Sequence, residues 1–239
     1  MQLLQQNMNI IITTRKQHPV SDEVLFTLMQ QSYQQWIDAG IQTAWLHRTL
    51  DDFREVIRNQ VVFLAVTEDD DTLLGMHCFN CYPRKHYAHG FYLAVDPKYQ
   101  REGIASRMLK EEVVQMRQRG YRYIEGKTSA AATWSVRWHL KNGYRIKGYS
   151  MGRAPYSGSY HFRLQLAPFS WRHPSTWLWN KPLAPITARL CYLASYIVAQ
   201  LVHHRNGELN WIGRLGKKLR DVRCMMEDGR CQLWFMING

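Results

Sequence analysis

The sequence predicts an α/β fold, a mostly antiparallel sheet flanked by helices and followed by a helical C-terminal extension. Three observations predict it. Short apolar runs rich in β-branched residues recur along the first two thirds of the chain, with turn residues between them. Two of these runs, Val61–Thr67 and Leu73–Tyr82, are joined by the acidic turn Glu68-Asp-Asp-Asp-Thr72, as in a hairpin. Between them and the C-terminal part, residues 93–109 (LAVDPKYQREGIASRML) pass from strand to helix through a loop of small residues.

The elements follow in order. Ile10–Thr14 is a short β-branched run and the expected first strand. Pro19 ends it, and Ser21 or Asp22 caps a helix on which Val24, Leu25, Leu28, Met29, Trp36 and Ile37 keep helical spacing. Gly40 closes that helix. A second helix is expected from near Leu50 to Asn59, and the link before it carries Trp45 and His47. After the hairpin, residues 83–88 connect to a strand at 89–95. Asp96-Pro97 stops that strand, because Pro has no ladder N–H and restricts the residue before it. Ile104, Met108, Val113 and Met116 then mark one side of a helix running to about Arg119. A strand at 123–128, a helix ending before Gly143, and alternating runs at 144–149 and 161–167 complete the pattern. The last two read as an antiparallel pair around the loop 151–160, in which Arg153, Tyr156 and Tyr160 either touch substrate or build an ordinary long hairpin.

The junction at 96–106 carries the chemistry. The first N–H groups of a helix have no partner inside it, and the helix dipole adds partial positive charge there. A loop of small residues feeding that end can cradle a pyrophosphate, with Arg101 and Arg107 as counter-charges. The spelling V-D-P-x-Y-Q-R-E-G-I-A resembles the acyl-coenzyme A loop of the GNAT superfamily of N-acetyltransferases, written Q/R-x-x-G-x-G/A, here Gln100, Gly103 and Ala105. The run 135–144 resembles the next element of that family, a helix ending in Gly and an aromatic. The resemblance covers about residues 10–167. It implies a GNAT-type mixed sheet and acetyl-coenzyme A, or another acyl-coenzyme A, as co-substrate. It also implies coenzyme contacts from Leu93, Ala94 and Val95 on the strand and from Gln100, Arg101, Glu102, Gly103, Ile104, Ala105 and Ser106 on the loop and helix start.

By the same resemblance, the strands at 89–95 and 123–128 splay, and the amide-rich pantetheine arm pairs with them as a pseudo-strand. N–H groups near Leu93 and Val95 would then polarise the thioester carbonyl. Direct transfer to an amine also needs a base for the nucleophile and an acid for the leaving thiolate. The family often places its base on the strand before the loop, where this chain has His89, with Glu125 on the neighbouring strand as a rival. It often places a Tyr acid four residues before the Gly that ends the later helix. Here that position, counted back from Gly143, is His139, whose imidazole can donate a proton near neutral pH. The family's Asn near the start of this helix is also replaced, by Ala132 or a neighbour, which removes a usual hydrogen bond to the pantetheine arm. In the family the first two helices and their link border the acceptor, so Trp45 and His47 are either substrate contacts or an aromatic lid.

Charge and composition narrow the partners. The net charge is +12. Residues 1–168 carry 21 Lys/Arg against 15 Asp/Glu, and residues 169–239 carry 10 against 4, so the short tail holds half the excess. Such a field attracts anions and disfavours polycationic acceptors such as polyamines. Nucleic acid is not an expected partner. Five cysteines at irregular spacing give no disulfide framework. Cys78-x-x-Cys81 has no second pair to complete a metal site and reads as two buried strand thiols, so no metal is expected. The start, Met1 to Gln6, has neither the basic residues nor the apolar core of a signal peptide, and the cytoplasm is the expected location.

The division expected is a catalytic domain at 1–168 and a basic, Trp-rich helical extension at 169–239. Residues 186–202 would span about 25 Å as a helix, short of a bilayer core. One side presents Arg189, Tyr192, Tyr196, Gln200 and His203, and the other Ile186, Leu190, Leu193, Ile197 and Leu201. Residues 209–223 set Trp211, Ile212, Leu215, Leu219 and Val222 opposite Arg214, Lys217, Lys218 and Arg220. These faces fit packing on the domain, a homodimer through the extension, or peripheral contact with an anionic membrane. Residues 231–237 add a last strand. The function expected is N-acyl transfer to a small-molecule or peptide amine. The alternatives are a membrane-associated long-chain acyltransferase and a non-catalytic acyl-coenzyme A-binding regulator.

Overall fold

The computed structural model describes residues 9–42, 47–150 and 158–168, ten residues between 179 and 197, and the backbone of 223–227 and 230–234. By contacts the chain forms two compact units, residues 1–40 with 44–121 and residues 41–43 with 122–239.

In the first unit, β1 (Ile10–Thr14), β2 (Val61–Thr67), β3 (Leu73–Tyr82) and β4 (Tyr87–Val95) pair antiparallel in that order. Helix α1 (Asp22–Asp38) is capped by Ser21, whose side chain accepts from the Val24 N–H. It ends at Ala39, with Gly40 beyond at φ +67°. Its buried stripe is Leu25, Leu28, Met29, Ser32, Tyr33 and Trp36, while Val24 and Ile37, expected on the core side, are about half exposed. The stripe thus runs one residue to the side of the one drawn through the aliphatic residues, and it includes a Ser and a Tyr. Helix α2 (Leu50–Ile57) starts with a complete capping box between Thr49 and Asp52 and buries Phe53 and Ile57. Helix α3 (Ile104–Gln118) buries Ile104, Met108, Leu109, Glu112 and Met116. Val113, expected on this stripe, is only half-buried, and the fully buried position is Glu112.

In the second unit, β5 (Tyr123–Ser129), β7 (Ser159–Gln165) and β6 (Arg145–Ser150) pair antiparallel with β7 in the middle. Helix α4 (Thr133–Lys141) lies between β5 and β6 in the chain. The α/β class, the mostly antiparallel pairing and the flanking helices agree with the sequence reading.

The tail differs from its expectation in two ways. Arg223–Glu227 and Arg230–Trp234 form an antiparallel pair, β8 and β9, so residue 223 closes no helix. Trp179 is buried, with the Arg163 guanidinium 5.0 Å from its ring centre, but Leu183, Ile186, Leu190, Leu193 and Ile197 are 44–58% exposed. Among the described residues, these apolar positions are therefore only about half covered. Trp45, Arg153, Tyr156, Trp171, Trp177 and residues 198–222 lie outside the described residues.

Candidate active site

Strand β4 delivers the chain to the coenzyme loop through a bulge. Cys78 pairs with Phe91 and Met76 with Ala94, so Tyr92 and Leu93 together face the single residue His77. Tyr92 sits at φ +51°, a conformation uncommon outside Gly, with its ring 5.7 Å from that of Phe53. Beyond Val95, the Asp96 side chain accepts from the Lys98 N–H and caps a short turn at Pro97–Tyr99. Arg101 and Gly103 then both take left-handed backbone angles, φ +70° and +84°. Gly103 is the N-cap of α3, and its carbonyl already accepts from the N–H groups of Ser106 and Arg107. The N–H groups of Ile104 and Ala105 have no carbonyl behind them in the helix. Arg101, Glu102 and Gly103 are exposed, Ala105 and Ser106 half-buried and Ile104 buried. Arg107 is exposed beside them and donates to the Ile10 carbonyl at 3.4 Å.

Helix α1 clamps the end of β4. The Val95 N–H donates to Ser32 Oγ at 3.1 Å, and the Tyr33 hydroxyl donates to the Leu93 carbonyl at 3.1 Å. Gln100 Nε2 donates to the Val95 carbonyl at 3.1 Å and reaches the Ser32 carbonyl at 3.5 Å. Leu93, Val95 and Gln100 are thus brought together by two α1 residues that the sequence reading missed. Burial drives the Tyr33 phenol well above its ordinary pKa, so it stays a donor. Beside this clamp lies a cleft of about 720 Å³ lined by Met29, Ser32, Tyr33, Gln35, Asp38, Arg48 and Gln100 among others.

His89 is half-buried on β4, opposite Asn80 of β3. His47 is exposed. In the second unit, Glu125 is held by the Lys147 ammonium, and both side chains are largely buried. Its cross-strand neighbour Arg163 lies 3.6 Å above the Tyr123 ring, and burial lowers that guanidinium's pKa to about 10. His139 is on the other face of β5. Its ring stacks on Phe162 at 4.4 Å, and its Nδ1 donates to the Ser135 carbonyl at 2.7 Å. A Cβ on Gly126 would stand 3.4 Å from its Nε2, so the ring edge lies close against the β5 backbone. Since Glu125 and Gly126 alternate along β5, Glu125 and His139 cannot share a proton. With Nδ1 donating its proton to a carbonyl, His139 can serve as an acid only as imidazolium. Ala132 is the buried N-cap of α4 and gives it no side-chain bond. Tyr160 packs against Tyr149, at 5.4 Å between ring centres. Cys78 and Cys81 lie three residues apart on β3, so they project to opposite faces and cannot chelate together.

A model of the Acetyltransferase (GNAT) family matches residues 25–144, half of the chain, and the protein belongs to that family. Solved structures share the fold. A GCN5-related N-acetyltransferase from Kribbella flavida is 16% identical with a TM-score of 0.51, over 66% of this chain and 98% of that one. A chimera of Vibrio cholerae spermidine N-acetyltransferase and hSSAT is 9% identical with a TM-score of 0.52, over 66% and 96%. An IAA acetyltransferase from Bacillus cereus is 12% identical with a TM-score of 0.50, over 66% and 100%. No curated protein sequence matches the chain.

Proposed function

We propose that the protein transfers an acetyl group from acetyl-coenzyme A directly to the amine of a small-molecule or peptide acceptor. The observation that carries this reading is the junction of β4 and α3, where Arg101 and Gly103 in left-handed conformations turn the loop into an exposed helix N-terminus. That terminus suits a pyrophosphate, with Arg101 and Arg107 as counter-charges. The thioester would lie at Leu93–Val95. Because the Val95 N–H is donated to Ser32, the Leu93 N–H is the donor we assign to its carbonyl.

His89 is the base we favour for the amine, since it stands on β4, the strand that leads into the coenzyme loop. His139, as imidazolium, would protonate the leaving thiolate. The polar wall of the α1 cleft, with Gln35, Asp38 and Arg48, suits an acceptor that makes hydrogen bonds. The catalytic domain would be residues 1–168, with 169–239 as its extension. A cytoplasmic location belongs to the same proposal; among the described residues no helix is long and apolar enough to cross a membrane.

A screen of amine acceptors with acetyl- and palmitoyl-coenzyme A tests the reaction and the acyl length. Turnover of acetyl-coenzyme A with at least one amine is expected. Coenzyme A binding without turnover on any acceptor would favour a non-catalytic, acyl-coenzyme A-binding role, which the engaged state of Glu125 also suits. Preference for the palmitoyl donor would favour the long-chain reading.

A further inference from the structure

Glu112 and His77 form a buried pair that the chemistry above does not use. Glu112 is wholly buried on α3, and His77 is 5% exposed on β3. His77 Nδ1 lies 2.9 Å from Glu112 Oε2, and Glu112 Oε1 has no hydrogen-bond partner among the described residues. Burying a carboxylate with one oxygen unpaired is costly, and a Leu on this apolar stripe would cost less. The position therefore calls for a role other than stability.

Its place in the fold supplies one. His77 is the single β3 residue opposite the two-residue bulge Tyr92–Leu93. The ring is fixed on its remaining sides. Phe79 packs on it at 4.3 Å, and a Cβ on Gly90 would come within 2.7 Å of Nε2. Glu112 lies eight residues into α3, just over two turns from the terminus that faces the loop. One hydrogen bond therefore joins the helix that would hold the pyrophosphate to the strand register that sets Leu93.

We propose that His77 and Glu112 are positioning residues that hold α3 and the β4 bulge at the separation one coenzyme molecule requires. The inference rests on the acyl-coenzyme A reading above. With the pair intact, phosphates and thioester carbonyl meet their donors together. Without it, the phosphates still bind, but the carbonyl sits off its N–H, a displacement that costs about 10²-fold in rate at roughly 1 Å.

The test is carbon NMR of carbonyl-labelled acetyl-coenzyme A bound to the full chain, with calorimetry of coenzyme A alongside. In the unaltered protein the bound carbonyl resonance should move downfield of the free ligand, as polarisation requires. Glu112→Leu should bind coenzyme A within about threefold of the unaltered protein yet lose that shift, and Glu112→Gln, which can still accept from His77, should recover it. Gly90→Ala crowds the same ring from the other side and should also lose it, which keeps the test open if the Leu variant does not fold. A merely structural pair would lower the melting temperature and leave the shift of the folded protein unchanged, and that result overturns the proposal. Absence of coenzyme A binding by the unaltered protein would overturn the functional reading and this inference together, whereas binding with a pair-independent shift would overturn this inference alone.

Discussion

Ser32 Oγ accepts the backbone N–H of Val95 at 3.1 Å, across 63 residues of sequence. Both groups are buried, so the serine satisfies a donor that no water reaches. Ser32→Ala should cost about 1–3 kcal/mol in urea unfolding, the price of an unpaired buried donor. A loss below about 0.5 kcal/mol would mean the N–H finds another acceptor.

Gly103 has open space around its Cα, so Gly103→Glu meets no clash, although its φ of +84° strains any side chain. The substitution places a carboxylate where a pyrophosphate should sit. Coenzyme A binding by calorimetry should be lost while the protein stays folded. Unchanged affinity would remove the basis of the functional reading.

His89→Ala should lower turnover by roughly 10²-fold with coenzyme A binding retained. An unaltered rate and pH–rate profile would move the role of base to Glu125 or to water. His139→Phe keeps the stacking on Phe162 and removes the proton, and its loss should be smaller, since a thiolate is a good leaving group. A larger loss than for His89→Ala would reverse the two assignments.

Alkali should weaken the fold. Burial raises the Tyr33 phenol above its ordinary 10.0 and the Cys78 thiol above its ordinary 9.0. The unfolded chain therefore loses these protons first and binds fewer of them than the folded chain, so stability falls as pH rises through 9.0–10.0. Melting temperatures between about pH 7 and pH 11 should decline above the lower of these values. Tyr33→Phe and Cys78→Ala should each flatten part of the decline, and a level profile would contradict it.

Trp179 is 3% exposed and lies over Arg163, while Asn180 Nδ2 donates to the Ala167 carbonyl at 3.3 Å. Trp179 and Asn180 are thus part of the second unit. Trp179→Ala should destabilise by about 3–5 kcal/mol, read in denaturant. A change within experimental error would show that this stretch is dispensable for folding.

Much of this was legible in the sequence, for local reasons. Ser21 as a cap, Gly40 as a stop, Asp96-Pro97 as a strand end and Gly103 before a helix are each dictated by backbone chemistry within a few residues, and each stands where expected. What escaped is polar and buried. Ser32 and Tyr33 lie on the inner face of α1, but their partners Val95 and Leu93 are some 60 residues away. Glu112 follows Met108 by four residues and precedes Met116 by four, which places it on the buried stripe. That spacing was readable, but a Glu is assigned to solvent unless a partner is known, and His77 becomes visible as one only in the fold. The candidate histidines His89 and His139 come from the family pattern, whereas the tie between Glu125 and Lys147 needs the register of β5 through β7 to β6.

The left-handed Arg101 has a consequence for energetics beyond the loop. A non-glycine residue at φ +70° carries about 1–2 kcal/mol of strain. It is borne by the strand and helix that pin the loop at both ends. The shape of the loop thus draws on the reserve of global stability. If the loop holds the pyrophosphate as we propose, weakening the β4–α3 junction should raise the dissociation constant of coenzyme A well before the protein unfolds.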